Sequence, residues 1–298
     1  MANINLIKKE DIAVSARIID FVTSFPRNWE ALQEVLGISR PIKKVPGTTL
    51  KMKYATGSLN DKDGEGNPIG EGDFIPRSKY TVAEKPYTEL TIEKYSKEVS
   101  LEAIVQHGYD AACGLTDEEF MVDLQNRITD RFYTYLKTGT LTGKGATFQM
   151  AVAKAIGSVK NKFKTIHRTA TGVAVFVNLM DVYEYIGSAE ITTQTAFGLT
   201  YLKNFLGADI MFLCGDNEVA PGQIIATPLN NIIAYYADPS DPEIERSGLA
   251  YYTDGETNMI GIAIKGDFDH ATSVTYAVMG FVVYAEYIDA VAVFEVGE

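Results

Sequence analysis

The stretch GEGDFIPRSKYTVAEKPYTELTIEKYSKEVSLEAIVQHGYD spans residues 70–110 and decides how the chain is organised. Residues 58–78, which lead into it, are rich in glycine and hold two prolines but only four apolar side chains. On both flanks, at 48–57 and within 80–99, apolar and polar side chains alternate, which predicts two strands. Two strands with a long polar tip form an arm. Because an isolated two-stranded arm is only marginally stable in water, we expect it to lie against a partner.

The tip of this arm is charged, and seven of its side chains are our candidates for the contact: Asp61, Asp63, Glu65, Glu71, Asp73, Arg77 and Lys79. The acids within residues 61–66 also resemble the start of a calcium-binding EF-hand loop, which requires a glutamate at its twelfth position. Here Gly72 occupies that position and Glu71 comes one place early. The flanks predict strands rather than helices, so we interpret the tip as a solvated acidic loop.

The clearest single element is a helix predicted over residues 117–138. Thr116 and Glu119 form a capping-box pattern at its start, and Gly139 predicts its end. With a rise of about 1.5 Å per residue, such a helix is a rod of roughly 33 Å. Apolar side chains recur at every fourth position and are its predicted core: Phe120, Leu124, Ile128, Phe132 and Leu136.

The same patterns predict the remaining elements. Two short helices are expected at 10–22 and 26–36, and Ser100 is a predicted N-cap of a third. Further helices are expected at 148–163 and 178–186. Strands are predicted at 173–177, 209–213, 223–226, 232–236, 260–265, 273–284 and 290–296. The second half of the chain is therefore expected to be mixed α/β.

The chain is acidic, with 27 basic and 39 acidic side chains among 298 residues and a net charge of −12. Sequence-specific recognition of nucleic acid is not expected, because phosphate binding requires a basic surface. Residues 151–168 depart from this overall balance, since they contain no acid and five basic side chains: Lys154, Lys160, Lys162, Lys164 and Arg168. The simplest interpretation is a solvated helix face, and a nucleic-acid patch is the alternative.

Other patterns exclude whole classes of protein. The longest uncharged apolar stretch, 271–285, has 15 residues and is too short to span a bilayer. The N-terminus lacks the apolar centre of a signal peptide. Cys113 and Cys214 form no disulfide framework, which favours reduced thiols and an intracellular origin.

No motif predicts catalysis, a metal or a cofactor. The segment GTLTGKGA at 139–146 resembles a phosphate-binding loop, but one residue is missing between its glycines and Gly145 replaces the hydroxyl that would reach magnesium. The histidines (His107, His167 and His270) are isolated and lack zinc-motif spacing. Cys113 and His107 lie close only in sequence, and no pair of carboxylates sits in an apolar setting.

The order of these elements resembles that of the major capsid proteins of tailed bacteriophages, whose type example is the Hong Kong 97 phage. The resemblance is closest over 70–110 and over DEEFMVDLQNRITDRFYTYLKTG at 117–139, which correspond to the extended loop, a strand and the spine helix of that family. FVNLMDVYEYIG at 176–187 and VAPGQIIATPLNNIIAYYA at 219–237 resemble parts of its outer domain. SVTYAVMGFVVYAEYIDAVAVFEV at 273–296 resembles its long return strand and last strand, with Glu286 at an acidic position.

This resemblance implies an α+β capsid fold made of four parts. They are an N-terminal arm at 1–46, an extended loop at 47–86, a peripheral domain at 87–147 and 271–287 with the spine helix at 117–138, and an axial α/β domain at 148–270 and 288–298.

The resemblance also implies a structural protein without enzyme activity. Its copies would form the hexamers and pentamers of an icosahedral head that encloses double-stranded DNA, without sequence-specific contact and without a membrane. Head-to-tail contacts made by an arm close into such rings. Further expected partners are a portal protein and, because the predicted helical arm begins close to Met1, a separate scaffolding protein. The protein would assemble in the host bacterial cytoplasm and belong to the virion.

Three alternatives remain from the sequence, of which a phage tail-tube protein is disfavoured, because those proteins are usually dominated by β-structure and a long helix is predicted here. An encapsulin, which is a bacterial compartment shell that holds a cargo enzyme, would share the fold. A soluble calcium-dependent or hydrolytic enzyme would use residues 58–78 as an active-site lid. The size of the assembly distinguishes the enzyme from both shells.

Overall fold

The computed structural model describes residues 6–7, 37–60, 62, 68–72, 74–170, 172–188, 201–202, 207–253 and 258–297. The helices predicted at 10–22 and 26–36 lie outside these residues, as does most of the predicted N-terminal arm. In chain order, the elements are β1 (Leu6–Ile7), β2 (Arg40–Lys44), β3 (Thr49–Ser58), β4 (Lys79–Glu89), β5 (Glu93–Ser100), α1 (Leu101–His107), α2 (Leu115–Leu136), β6 (Leu141–Gly145), α3 (Phe148–Thr165), β7 (Val173–Asn178), α4 (Leu179–Ser188), β8 (Tyr201–Leu202), β9 (Ile210–Cys214), β10 (Gln223–Pro228), β11 (Ile232–Ala237), α5 (Pro242–Arg246), β12 (Tyr252–Thr253), β13 (Ile260–Asp267), β14 (Thr272–Met279), β15 (Phe281–Ala285) and β16 (Ala292–Val296).

The described strands form four sheets. A five-stranded sheet has the order β1-β5-β14-β13-β12, and a six-stranded sheet has the order β6-β16-β10-β7-β9-β8. The other two are a three-stranded sheet, β15-β11-β2, and the hairpin β3-β4. In the five-stranded sheet, β14 pairs antiparallel with both β13 and β5 along its whole length. The six-stranded sheet is mixed, since β7 runs parallel to β9 and β6 runs parallel to β16.

The six-stranded sheet is covered on both faces, which explains the sequence of its central strand. Every residue of β7 (VAVFVN) is buried, as is typical of a strand between two layers. On one face, Val175 packs in a cluster with side chains of α3 and α4. On the other face, Phe176 packs with α2.

Helix α2 is the centre of the fold. Four of the five predicted core positions are fully or almost fully buried (Leu124, Ile128, Phe132 and Leu136), and Phe120 is half-buried against the same cluster. This cluster contains Ile260 and Met279 of the five-stranded sheet together with Phe176 and Phe212 of the six-stranded sheet. One helix therefore joins the two sheets. Among the described residues, no helix combines the length and the apolar character that crossing a membrane requires.

The start and the end of α2 differ from the prediction. The helix covers Leu115–Leu136 rather than 117–138, and the predicted capping box is wrong. A turn of π-helix at Asp110–Gly114 leads directly into α2, so the backbone is already helical at Thr116. The Thr116 hydroxyl instead donates to the carbonyls of Ala112 and Cys113, at 3.0 Å each. At the other end, the C-cap residue is Lys137 and not Gly139.

The single return strand predicted at 273–284 is two strands in different sheets. The chain crosses from β14 to β15 at Gly280, whose carbonyl accepts a hydrogen bond of 2.9 Å from the Ala237 amide. A Cβ atom at Gly280 would lie 2.8 Å from the Cβ atom of Ala237. Only glycine fits this close crossing between the two sheets.

Strands β2 and β6 were not predicted. Strand β6 lies in the glycine-rich segment and pairs in parallel with β16. A Cβ atom at Gly143 would meet the Phe294 ring at 2.5 Å, and one at Gly145 would meet the Ala151 amide nitrogen at 2.3 Å. These glycines therefore allow close packing of β6 against β16 and α3.

The predicted domain boundaries at 147/148 and 270/271 would each separate two strands that pair with each other. The boundary at 147/148 would separate β6 from β16, its partner in the six-stranded sheet. The boundary at 270/271 would separate β13 from β14, which pair over eight residues each.

Candidate assembly surfaces

The hairpin β3–β4 is anchored only at its root. Leu50 and Leu90 are buried there, and the Gly47 amide donates to the Leu90 carbonyl at 2.9 Å. Beyond the root, β3 and β4 pair with each other as far as Ser58 and Lys79. Ten residues of strand extend about 33 Å. Among the described residues, neither strand pairs with any other sheet, so the hairpin is a two-stranded arm as predicted.

The outer half of this hairpin exposes large apolar side chains. Phe74 and Ile75 are 83% and 73% exposed. Three neighbouring apolar side chains along the hairpin are also exposed: Leu59, Tyr80 and Val82. We call these five residues the apolar tip. A concentration of exposed apolar side chains on one element marks a surface that binds a partner.

The sequence analysis selected the charged residues of the tip and missed these apolar ones. The signal was present, since Leu59, Phe74 and Ile75 are three of the four apolar side chains in residues 58–78. Of the seven charged candidates, Glu71, Arg77 and Lys79 lie on the surface. The other four lie outside the described residues, as does most of the segment that resembles a calcium loop.

A groove of about 680 Å³ lies between the inner face of the hairpin and the rest of the molecule. Lys51, Lys53 and Ala55 of β3 line one side, and Tyr235 and Tyr284 line the other. Glu84 on β4 accepts from both lysines, at 3.3 and 3.4 Å, and the hydrogen bond from Lys51 is the main cause that lowers its pKa. The hairpin side of the groove is polar, and the opposite side combines these tyrosines with charged side chains such as Arg168 and Glu286.

Ion pairs hold α2 against β5. Arg131 on α2 bonds Glu93 and also donates to the Phe281 carbonyl at 3.3 Å. Burial raises the pKa of Glu93, but hydrogen bonds from Tyr95 and Arg131 outweigh it and leave the pKa below its ordinary value. At the start of α2, the almost fully buried Lys97 ammonium bonds Asp117 at 2.6 Å. The hairpin thus leaves the molecule beside a strand that is fixed to the central helix.

The segment at 176–187, which carried part of the sequence resemblance, is a rigid strand-to-helix junction. The buried Asn178 side chain donates to Asp216 at 2.7 Å and to the Val219 carbonyl at 2.8 Å. Asp181 accepts from the Gly222 amide at 2.7 Å, and burial is the main cause that raises its pKa. Asn178 and Asp181 therefore fasten the loop before β10 to the start of α4.

One cluster of possible metal ligands occurs among the described residues. Ligand atoms of Glu98, Asp267 and His270 all lie within 4.8 Å of one another at the turn between β13 and β14. His270 bonds Asp267 at 2.7 Å, and this hydrogen bond is the main cause that raises the pKa of His270. Glu98 accepts from the Thr272 hydroxyl at 2.6 Å. Partners within the protein account for these contacts, and the sequence analysis had treated His270 as isolated.

Both cysteines are buried, and neither forms a disulfide within the described part of the chain. Burial raises the pKa of the Cys113 thiol, so the reactive thiolate is disfavoured. Cys113 lies in the π-helical turn before α2, and Cys214 ends β9. Both positions are parts of the packed core.

Solved structures with a similar fold come from phage and related capsids. The structure of Mycobacterium phage Patience matches with a TM-score of 0.60 at 8% identity, over 100% of this chain and 94% of that chain. The capsid asymmetric unit of cyanophage A-1(L) matches with a TM-score of 0.57 at 12% identity, over 92% of this chain and 94% of that chain. The capsid of the empty GTA particle gives 0.57 at 8% identity, with 92% of each chain covered.

No protein-family model and no curated protein matches the chain. The match therefore rests on three-dimensional structure over nearly the whole length of these chains. It confirms, at the level of the fold, the resemblance that the order of elements had indicated: the chain has the mixed α/β capsid fold of phage heads.

Proposed function

We propose that this chain is the major structural subunit of a phage head, whose copies assemble into the hexamers and pentamers of an icosahedral shell around double-stranded DNA. The observation that carries the proposal is the hairpin β3–β4, a long arm anchored only at its root on a chain with a capsid fold. Its exposed apolar tip is costly in a monomer, because each apolar side chain left in water forgoes about 1.5–3 kcal/mol of burial.

In the proposed shell, the apolar tip and the charged residues of the loop lie against a neighbouring copy. Contacts that join an arm of one copy to the body of the next are head-to-tail, and such contacts close into rings. The charged candidates (Asp61, Asp63, Glu65, Glu71, Asp73, Arg77 and Lys79) would set the register of that contact, since charge complementarity contributes more to specificity than to affinity.

The two sheets suggest the domain bounds. We assign the five-stranded sheet, with β13 included, to the peripheral domain, and the six-stranded sheet, with β6 included, to the axial domain. Strand pairing supports this division, because hydrogen-bonded strands of one sheet fold as a unit. Helix α2 is the proposed spine between the domains.

The remaining parts of the proposal concern partners and location. A scaffolding protein and a portal protein are the expected partners in assembly, which would take place in the host bacterial cytoplasm, and the finished shell is part of the virion. The role is structural and includes no catalytic step.

Sedimentation tests the proposal. The full chain is produced alone and together with the products of neighbouring genes, and the lysates are run on density gradients. The expected result is a fast-sedimenting particle that contains this chain and protects nucleic acid from nuclease. An encapsulin would instead contain a protein cargo. A chain that remains a monomer or dimer in every combination would contradict the proposal.

A further inference from the structure

A row of basic side chains that form no ion pair with a carboxylate among the described residues lies on and just after α3. This helix buries one face, including Ala151, Ala155 and Val159, against the six-stranded sheet. The opposite face is in solvent and carries Lys154, Lys160 and Lys164, and the exposed Arg168 follows the end of the helix. We call these four residues the basic strip.

The charge of the basic strip is held in place but not neutralised. Lys154 donates to the Lys144 carbonyl at 3.0 Å, and Lys160 donates to the Gly207 carbonyl at 3.1 Å. The Arg168 guanidinium lies over the Tyr287 ring at 5.4 Å. Lys162 differs, since it pairs with Asp289 at 2.6 Å. Within the described part of the chain, none of the four strip residues forms an ion pair with a carboxylate.

The rest of the chain makes this strip unusual. The whole protein has a net charge of −12, and from residue 169 to the end there are 3 basic and 18 acidic side chains. A polyanion is therefore repelled by the acidic second half of the chain and attracted to the basic face of α3. Lys162 and Lys164 lie in the last turn of α3, where a positive charge interacts favourably with the helix dipole. Lys154 lies more than two turns earlier, so the helix dipole does not explain its position.

The strip has the dimensions of a phosphate-binding surface. Lys154 and Lys164 are separated by about 15 Å along the helix axis. Double-stranded DNA places its base pairs about 3.4 Å apart, so the strip spans roughly four of them. Between these lysines, Gly157 has no atom within 4 Å of the position that a Cβ would take. A glycine inside a helix costs about 1 kcal/mol relative to alanine, and no contact with the described residues requires one here. Gly157 therefore leaves the middle of the basic strip open to close approach by a ligand.

We propose that the basic strip is the surface that contacts the phosphate backbone of the packaged DNA, which places the solvent face of α3 toward the interior of the shell. This inference rests on the proposed head function and deepens it by naming the residues and the face. It requires no base-specific contact, because backbone phosphates carry the interaction.

Two matched variants of the full chain test the proposal. Lys154→Gln, Lys160→Gln and Lys164→Gln together remove three charges of the strip while keeping a hydrogen-bond donor. Lys94→Gln, Lys137→Gln and Lys265→Gln together remove three exposed lysines elsewhere. Circular dichroism confirms that each variant is folded. Binding of a short mixed-sequence DNA duplex is then followed by fluorescence anisotropy from low to moderate salt.

The strip variant should bind the duplex about tenfold or more weakly than the wild type at low salt. A plot of the logarithm of its binding constant against the logarithm of salt concentration should be less steep by about 3, since each phosphate contact contributes ~0.9 to the steepness. The control variant should behave like the wild type. Equal duplex binding by the strip variant and the wild type would overturn the proposal.

Polyglutamate is the second probe, because an acidic protein partner such as a scaffold would use the same charges. Tighter binding of polyglutamate than of the duplex to the strip at the same salt concentration would overturn the proposal in favour of such a partner.

In the particle experiment, the strip variant should form shells like the wild type but retain less DNA on heating. If the wild type forms no shells, the head function fails, and the duplex experiment still decides the role of the strip.

Discussion

The ring of Phe132 on α2 meets the ring of Phe176 on β7 edge to face, with centroids 5.9 Å apart and planes at 66°. Tyr133 contacts both rings, at 5.4 and 5.6 Å, and Phe212 stacks on Phe176 at 5.2 Å. These four side chains join the central helix to the six-stranded sheet. The body that carries the hairpin is therefore held together at this cluster.

Truncation of Phe132 tests the role of the cluster. Phe132 is fully buried, so Phe132→Ala should lower the free energy of unfolding by about 3–5 kcal/mol. Urea unfolding of the isolated subunit measures this change. Phe120→Ala on the same helix is the control, and because Phe120 is only half-buried its cost should be clearly smaller. Similar costs for the two variants would mean that the buried face of α2 is wrongly assigned.

Shortening the hairpin tests whether assembly depends on it. Deletion of residues 60–72 removes much of the loop but keeps Leu50 and Leu90 at the root, so the subunit should fold normally and form no stable shells. Circular dichroism and sedimentation measure the two effects separately. The variant Phe74→Ser with Ile75→Ser keeps the full length, should change unfolding by less than about 0.5 kcal/mol as a surface substitution, and should also weaken assembly. Normal particles from the deletion variant would refute this role.

The contact between His270 and Asp267 predicts a pH dependence. Because the folded pKa of His270 is raised above its ordinary 6.5, the stabilisation from this contact is complete below pH 6.5 and is lost as the pH rises through the raised pKa. Titration of His270 followed by NMR should show the raised pKa. Asp267→Asn should return it toward the ordinary value, and a titration unchanged by this substitution would rule out the contact.

Gly157 predicts a stabilising substitution. Its position in α3 is surrounded by open space, so Gly157→Ala should raise the free energy of unfolding by about 0.5–1 kcal/mol. Thermal unfolding of the purified subunit measures the gain. Gly143→Ala is the matched control and should destabilise, because the added methyl group would meet the Phe294 ring. A loss of stability in Gly157→Ala would show that α3 has a packing partner on its outer face.

Periodicity predicted the elements whose side chains alternate or repeat strongly, namely the hairpin, α2 and β7. It failed where a partner far away in sequence decides the structure. Strand β6 has no strand pattern of its own and exists because β16 pairs with it, and the break at Gly280 depends on Ala237. At Thr116, a capping pattern was overridden because the preceding π-helical turn already continues into the helix.

The candidate sites also divide into those with a local sequence pattern and those that depend on distant parts of the chain. The two-stranded hairpin could be predicted from its alternating flanks, and the basic side chains of α3 were visible in the sequence as a run without acids. The apolar tip was overlooked because its few apolar residues are scattered through a polar loop. The proximity of Glu98 to Asp267 and His270 could not be predicted, since β5 reaches this turn only through its pairing with β14.

Negative-stain electron microscopy of the full-length chain, expressed alone and with its neighbouring gene products, tests the central claim most directly. The proposed head function predicts rings or round closed shells in at least one of these samples. A uniform field of monomers or dimers in all of them, with the scaffold candidate present, would contradict it.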